Sequence, residues 1–409
     1  MSEELLKIGL LGRGTVGAAF ADLVADRADE VARLTGRRPV VSGVLTRSEG
    51  DADQIIAEAD LIVEVMGGTE PAREYVLAAL NAGLPVVSAN KQLLSRHGRE
   101  LWAAAEVAGG QIRFEAAVAA VVPVIRVLSE SLSGAQIDRI HGIVNGTTNF
   151  ILSKMASTGA SYDAALAQAQ QLGFAEADPS EDVGGADAAA KMALLAQLAF
   201  GGWVALDDVV FEGIEQLTTE DIAYAKEFGL ALKLLGTAER VGKAISVRVH
   251  PAFLYAAHPL ASINGSFNAV TIESPAITEI TLSGPGAGGP QTASAVLGDV
   301  VSVLSGVPAI EPPQSDAKLT DDVHSAFYLH LEVADRPGVL AQVAQLLGEH
   351  GVSVKTVAQS GLGDNARLVM VTHSILESAF YSACDQIAQL EFIRAAPRAI
   401  RVIDEQFIG

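Results

Sequence analysis

Residues 5–11 form a short apolar run that ends in Gly12-Arg13-Gly14-Thr15-Val16-Gly17, and an amphipathic stretch, 18–34, comes directly after. Strand, glycine turn and helix in that order leave few folds open, because they form the first half of a parallel βαβ unit. Gly12 permits the tight turn, Gly14 lets the backbone approach a pyrophosphate, and Gly17 permits close helix–strand packing. The helix that starts at Thr15 and Val16, with Arg13 beside it, offers unpaired N–H groups to an anion. Such a glycine pattern alone is common in loops, so its weight depends on the elements downstream of it in the chain.

Further strand–helix units are indeed present. A second strand is predicted over 39–45, a third over 60–65, a helix over 71–82 and a fourth strand over 84–88, which ends in Ala89-Asn90-Lys91. Ligands bind at the carboxyl edge of an open parallel sheet, and Lys91 stands at that edge. At the end of the second strand an NAD site usually carries an acid for the ribose hydroxyls; this chain has Thr46-Arg47. Arg47, with Arg13, can face a 2′-phosphate, which favours NADP over NAD; the plain alternative is two solvated loop arginines.

The segment 169–191, AQQLGFAEADPSEDVGGADAAAK, collects acids and one lysine. Pro179 and Gly184-Gly185 make its first half a loop, whereas 186–199 is rich in Ala, Leu and Met and reads as a buried helix. Asp187 and Lys191 are four apart on one face. A carboxylate beside an ammonium at a helix start can hold a charged substrate group and move a proton to a neighbouring oxygen. A surface ion pair is the ordinary alternative.

Downstream, strands are expected over 111–116 and 137–144, the latter leading to a turn, Asn145-Gly146-Thr147-Thr148-Asn149, where Thr147, Thr148 or Asn149 can cap a helix over 150–155. From 228 to 248 a helix leads into a strand, and 270–274 with 279–283 add strands of a mostly antiparallel sheet. A second glycine-rich loop, 284–293, precedes a helix over 294–304. A polar, proline-containing linker then leads to strands and helices in the order β-α-β-β-α-β, a ferredoxin-like unit.

The chain has 409 residues, enough for two or three domains. A formal charge of −21 disfavours nucleic acid and anionic membrane as partners, and no apolar run reaches the length of a membrane span. The acidic amino terminus is unlike a secretory signal, so a cytoplasmic location is expected. The one cysteine, Cys384, forms no internal disulfide and lacks metal-ligand neighbours.

Ala169, Gly173, Asp178-Pro179, Asp182-Val183, Gly185, Asp187 and Lys191 together resemble the signature of homoserine dehydrogenases, and GIVNGTTNFIL is a second hallmark of that family. The resemblance covers essentially the whole chain. It implies an α/β fold with a Rossmann-like dinucleotide-binding domain (1–130, completed by 285–310), an α+β substrate-binding and dimerisation domain (131–284), a linker (311–325) and a carboxyl-terminal ferredoxin-like ACT domain (326–409). It implies that Glu176 and Asp187 hold an amino acid, that Asp182 lies in the same pocket, that Gly173 adds a backbone contact, that Lys191 moves the proton, and that Lys91 lies between nicotinamide and substrate. Gly288 would touch the cofactor. Relatives bind a monovalent cation, usually sodium, through carbonyls that correspond to Glu115, Val118, Ala120 and Val122, although the glycines usual near the end of that stretch are Ala119, Ala120 and Val121 here. The start D-R-P-G-V-L, with Gly338, resembles ACT domains, which pair side by side and bind amino acids, so a threonine-like effector or plain oligomerisation is expected there, in a homodimer or homotetramer. The activity implied is NAD(P)-dependent interconversion of L-homoserine and L-aspartate 4-semialdehyde in threonine, methionine and isoleucine biosynthesis. An acylating semialdehyde dehydrogenase would need a cysteine nucleophile in the catalytic domain, where there is none. A non-catalytic nucleotide- and amino-acid-sensing protein is the remaining alternative.

Overall fold

A computed structural model describes residues 4–361 and 366–403. Positions 404–409, the end of the predicted carboxyl-terminal unit, lie outside the described residues.

The first body is a parallel sheet of β1 (Glu4–Leu11), β2 (Arg37–Leu45), β3 (Leu61–Glu64), β4 (Val86–Ser88) and β5 (Ile112–Arg113), in the order β2-β1-β3-β4-β5. The strands alternate with α1 (Thr15–Thr35), α2 (Ala52–Glu58), α3 (Ala72–Asn81) and α4 (Lys91–Ala108). Successive strand residues face opposite sides, so Leu6, Ile8, Leu10 and Val63 pack with Phe20 and Val24 of α1, while Leu11 and Ile62 enter the core on the other face. Because both faces are covered, β3 is buried at every position, which is why Leu61–Val63 read as an unbroken apolar run rather than an alternating one. The strand expected over 111–116 is shorter, and Ala116–Ala119 (α5) is already helical, with the turn α6 (Val124–Arg126) after it.

The second body holds β6 (Arg139–Ile143), α7 (Gly146–Thr158), α8 (Tyr162–Gln171), α9 (Ser180–Val183), α10 (Ala186–Phe200), β7 (Gly202–Trp203), β8 (Val210–Phe211), α11 (Thr219–Glu227), β9 (Leu230–Val241), β10 (Ala244–Tyr255), β11 (Phe267–Ser274) and β12 (Thr278–Pro285). The helix expected after 228 is absent. A capping box between Thr218 and Asp221 starts α11 earlier, and 230–255 is one long hairpin in which Val241 faces Ala244 across a two-residue turn. Helix α12 (Gly289–Leu304) starts five residues before the expected 294, with Pro290 in its first turn, and its Ala293, Val296 and Val300 share the core of β1 and α1.

The polar stretch read as a linker is instead a pinned strap. The Trp102 indole and the Arg113 guanidinium donate to the carbonyls of Ile310 and of Val307 and Pro308, and β13 (Ser315–Asp316) pairs with β7. After it come β14 (His324–Val333), α13 (Val339–Glu349), β15 (Val354–Ser360), β16 (Ala366–Thr372), β17 (Ile375–Leu376), α14 (Glu377–Ile387) and β18 (Arg398–Ile403). The order β-α-β-β-α-β holds, and the last strand begins at Arg398, after Pro397. β18 also pairs in parallel with β10, placing Arg401 opposite Ala252, so the carboxyl-terminal unit and the second body share one eleven-stranded sheet.

Candidate active site

Gly12 has φ 102 and its N–H donates to the carbonyl of Leu45 at 3.0 Å, which ties the glycine turn to the end of β2. A Cβ there would stand 2.8 Å from the Val65 carbonyl oxygen, and one on Gly17 would stand 2.0 Å from that of Gly12. Both positions exclude a side chain, whereas Gly14 meets nothing within 4 Å and leaves open space for a ligand. Helix α1 begins at Thr15 with no side-chain cap and no acid in its first turn, so its N–H groups and dipole are suited to a phosphate. Gly288 precedes α12, and a Cβ on Gly289 would lie 2.9 Å from the Thr15 carbonyl; the second glycine loop thus rests on the first. Exposed Arg13 and Arg47 flank this edge, and among the described residues neither has a carboxylate partner. The residues present fit a dinucleotide.

Across the cleft, Asp187 sits in the first turn of α10 and is 4% exposed. Its two oxygens are taken by two lysines from different bodies: Lys91 Nζ lies 2.9 Å from Oδ1, and Lys191 Nζ 2.7 Å from Oδ2. Lys191 also donates to the Val144 carbonyl at 2.8 Å. Burial alone pushes the Asp187 carboxyl up, but the charges of Lys191 and Lys91 outweigh it and hold the group well below the usual carboxylate range. For Lys91, burial favours loss of the proton, and Asp187, Asp182 and Glu181 together reverse that, leaving its pKa raised. Asp182, unlike Asp187, is pushed upward, by burial first and by the charge of Asp187 second.

Asn145 binds the cluster together, a role its sequence context does not reveal. Its Oδ1 accepts from Thr148 N–H, capping α7, so the cap is Asn145 rather than Thr147, Thr148 or Asn149. Its Nδ2 donates to Asp182 at 2.7 Å and to Asp187 at 2.9 Å. The only signal in the sequence is the Asn-Gly pair, which reads simply as a turn. Glu64 is a second residue that sequence reasoning misses: fully buried at the end of β3, it accepts from Ser88 Oγ at 2.6 Å and from Asn90 Nδ2 at 3.4 Å, while Asn90 caps α4 and so fixes where Lys91 starts. An acid that closes an apolar strand, LIVE, is its trace in the sequence.

Glu176 and Gly173 stand apart from this cluster. Both are exposed on the loop after α8, and no described contact joins the Glu176 carboxylate to the lysines or to Asp187. Thr147 Oγ1 donates to the Phe174 carbonyl at 2.6 Å, which hangs that loop on α7 beside the site.

The segment 115–122 is largely buried, with Ala120 at φ 53. The Glu115 carboxylate is occupied by the N–H groups of Ile125 and Arg126, and the Val122 carbonyl accepts from Val124 N–H at 2.8 Å. Glu115 can therefore offer a cation only its carbonyl, the ligand type that the family resemblance implies, together with those of Val118, Ala120 and Val122.

Comparison with known proteins gives one consistent family. The profile described as homoserine dehydrogenase matches residues 123–301, its NAD-binding domain 12–115, and an ACT domain 328–391. A homoserine dehydrogenase of Corynebacterium glutamicum is 44% identical, covering 97% of this chain and 95% of its own. One of Synechocystis is 39% identical over 97% of this chain. The crystal structure of a homoserine dehydrogenase from Thiobacillus denitrificans superposes with a TM-score of 0.92 at 37% identity, covering 98% of this chain and 99% of that one. A hyperthermophilic archaeal homoserine dehydrogenase in complex with NADPH matches 75% of this chain at 28% identity and a TM-score of 0.65.

Proposed function

The chain belongs to the homoserine dehydrogenase family, oxidoreductases that interconvert L-homoserine and L-aspartate 4-semialdehyde with a nicotinamide cofactor, and we propose a specific division of labour among its residues. The observation that carries the proposal is Asp187 held between Lys91 and Lys191.

An ammonium has three protons to donate, and Lys191 gives one to Asp187 and one to the Val144 carbonyl, which leaves the third for a substrate oxygen. Lys191 exchanges the proton at that oxygen, and Lys91, anchored at the helix start that Asn90 caps, orients the substrate. Since both oxygens of Asp187 are occupied, its part is to aim the two lysines, and the substrate ammonium goes to Asp182 with Glu176. A bound nicotinamide would supply the hydride chemistry at the carbon that bears this oxygen. Gly12, Gly14, Thr15, Val16, Gly17 and Gly288 hold its phosphates, and Arg13 and Arg47 select NADP over NAD. A sodium ion on the carbonyls of Glu115, Val118, Ala120 and Val122 belongs to the same reading, supported by the buried turn at Ala120.

The ACT domain takes an amino-acid effector such as threonine at Gly338, which has φ 94 and starts α13 without a side-chain cap. The open edges β12 and β15 support assembly into a homodimer or homotetramer. A single reduced cysteine fits a cytoplasmic enzyme. The test is to mix the purified protein with L-homoserine and NADP and follow NADPH absorbance. No reduction with either NADP or NAD would leave a non-catalytic sensor.

A further inference from the structure

Glu377, the first residue of α14, is 6% exposed and accepts from four donors: Ser325 Oγ at 2.7 Å, Arg401 Nε at 2.9 Å and Nη2 at 2.8 Å, and Arg248 Nη1 at 2.5 Å. Burial alone would raise its carboxyl, yet Arg401 and Arg248 hold it below its usual range, so the cluster is ionised and fixed. Arg401 has one arm left. Its Nη1 donates at 2.7 Å to Glu212, which lies on the catalytic body just after β8.

Glu212 opens a short segment packed directly on the substrate loop. Its own N–H donates to the Val249 carbonyl at 2.8 Å, and the buried Ile214 N–H donates to the Val183 carbonyl at 2.9 Å. The packing leaves no slack: a Cβ on Gly213 would stand 2.3 Å from the Val183 carbonyl oxygen, and one on Gly185 would stand 3.1 Å from that of Glu212. Val183 and Gly185 are the turn between Asp182 and Asp187, and Gly185, at φ 94, sets the angle at which α10 begins. A displacement of Glu212 is therefore passed to the two carboxylates through backbone contacts rather than flexible side chains.

We infer that Arg401 and Glu212 are positioning residues for the substrate pocket: the contact between them transmits the placement of the carboxyl-terminal unit to the 183–185 turn and hence to Asp182 and Asp187. It rests on the reading of that pocket as the homoserine site. Neither residue touches substrate. Weakening the contact lets the turn relax, so substrate capture suffers more than the cofactor site, which is built on the other body.

The experiment compares Glu212→Gln, Arg401→Gln and Arg401→Lys with the parent enzyme. Expected is a rise of about threefold to tenfold in KM for homoserine in the two Gln variants, the scale typical of coupling through packed networks, with KM for the nicotinamide cofactor unchanged and partial recovery in Arg401→Lys. Faster hydrogen exchange at the Ile214 amide is expected in Glu212→Gln. Glu212 is exposed, so this variant folds even if loss of Arg401 does not allow it. A parent enzyme active on homoserine, with both Glu212→Gln readouts unchanged, overturns the inference and spares the proposed function. A parent inactive on homoserine overturns the function, and the Ile214 exchange rate still decides the contact.

Discussion

Lys91 and Asp187 come from different bodies, one opening α4 beside the parallel sheet and the other opening α10, and their charged atoms meet at 2.9 Å. The contact closes the cleft between the dinucleotide edge and the acidic loop. With Lys191 on the opposite oxygen of Asp187, it turns an i,i+4 pair into a three-membered site in which one buried carboxylate aims two ammonium groups.

Replacing Lys191 by Ala removes the group proposed to exchange the substrate proton. The expected loss in kcat is about a hundredfold or more, the usual worth of a positioned acid–base group, with cofactor affinity unchanged by fluorescence titration. Full turnover in the variant would remove this lysine from the mechanism.

In Asp187→Asn the two lysines lose the charge that orders them. A fall in kcat/KM for homoserine of about tenfold or more is expected, larger than that of Glu176→Gln, whose carboxylate is exposed. Equal effects in the two variants would return Asp187 to simple substrate binding.

The Arg47→Glu variant should narrow the preference for NADP over NAD, because an acid repels a 2′-phosphate and accepts from a ribose hydroxyl. The ratio of kcat/KM for the two cofactors measures it. A parent enzyme that already prefers NAD contradicts the reading of the second strand's end.

The stability contributed by Glu115 and Asp299 should fall as pH rises from about 4 to 7, against an opposite contribution from the buried His141, His250 and His258, whose pKa values burial lowers. Burial first and the charge of Asp299 second raise Glu115 to about 7, and burial raises Asp299 to about 6 in spite of its hydrogen bond from the Glu115 N–H and the charges of Arg126 and Arg113. Between their ordinary values and these, the unfolded chain has lost protons that the native state keeps, so stability is full below that window and lost through it. Asp187 acts in the opposite sense, contributing stability that disappears only in stronger acid. In thermal melts across pH 4–8 the parent's Tm should decline toward pH 8 relative to that of Glu115→Gln; a Tm difference that does not change with pH would count against this pair.

The proposed feedback by threonine is best tested without truncation. Removing residues after Asp322 would strip β18 from the edge of β10 and leave buried Arg248 without Glu377, so a lost response could reflect damage to the shared sheet. In Gly338→Ala a side chain is forced onto φ 94 at the start of α13, and the concentration of threonine that halves activity should rise severalfold while basal kcat holds. Inhibition unchanged in that variant, and competitive with homoserine, would place the effect at the active site.

Local patterns in the sequence were enough for the glycine turn, the alternation of strand and helix, the Asp187/Lys191 pair and the order of the carboxyl-terminal unit, because each depends on residues a few positions apart: periodicity, glycine placement and helix spacing are short-range. Tertiary structure alone decided the rest. That Asn145 caps α7 while bridging Asp182 and Asp187, that Glu64 holds Asn90 in place, that 230–255 is a hairpin, and that β18 joins the catalytic sheet all depend on partners that local sequence patterns do not pair. An asparagine in a turn or an arginine near a terminus looks the same in sequence whether or not a buried carboxylate waits opposite, since that encounter is set by packing between elements and not by the local propensity of either.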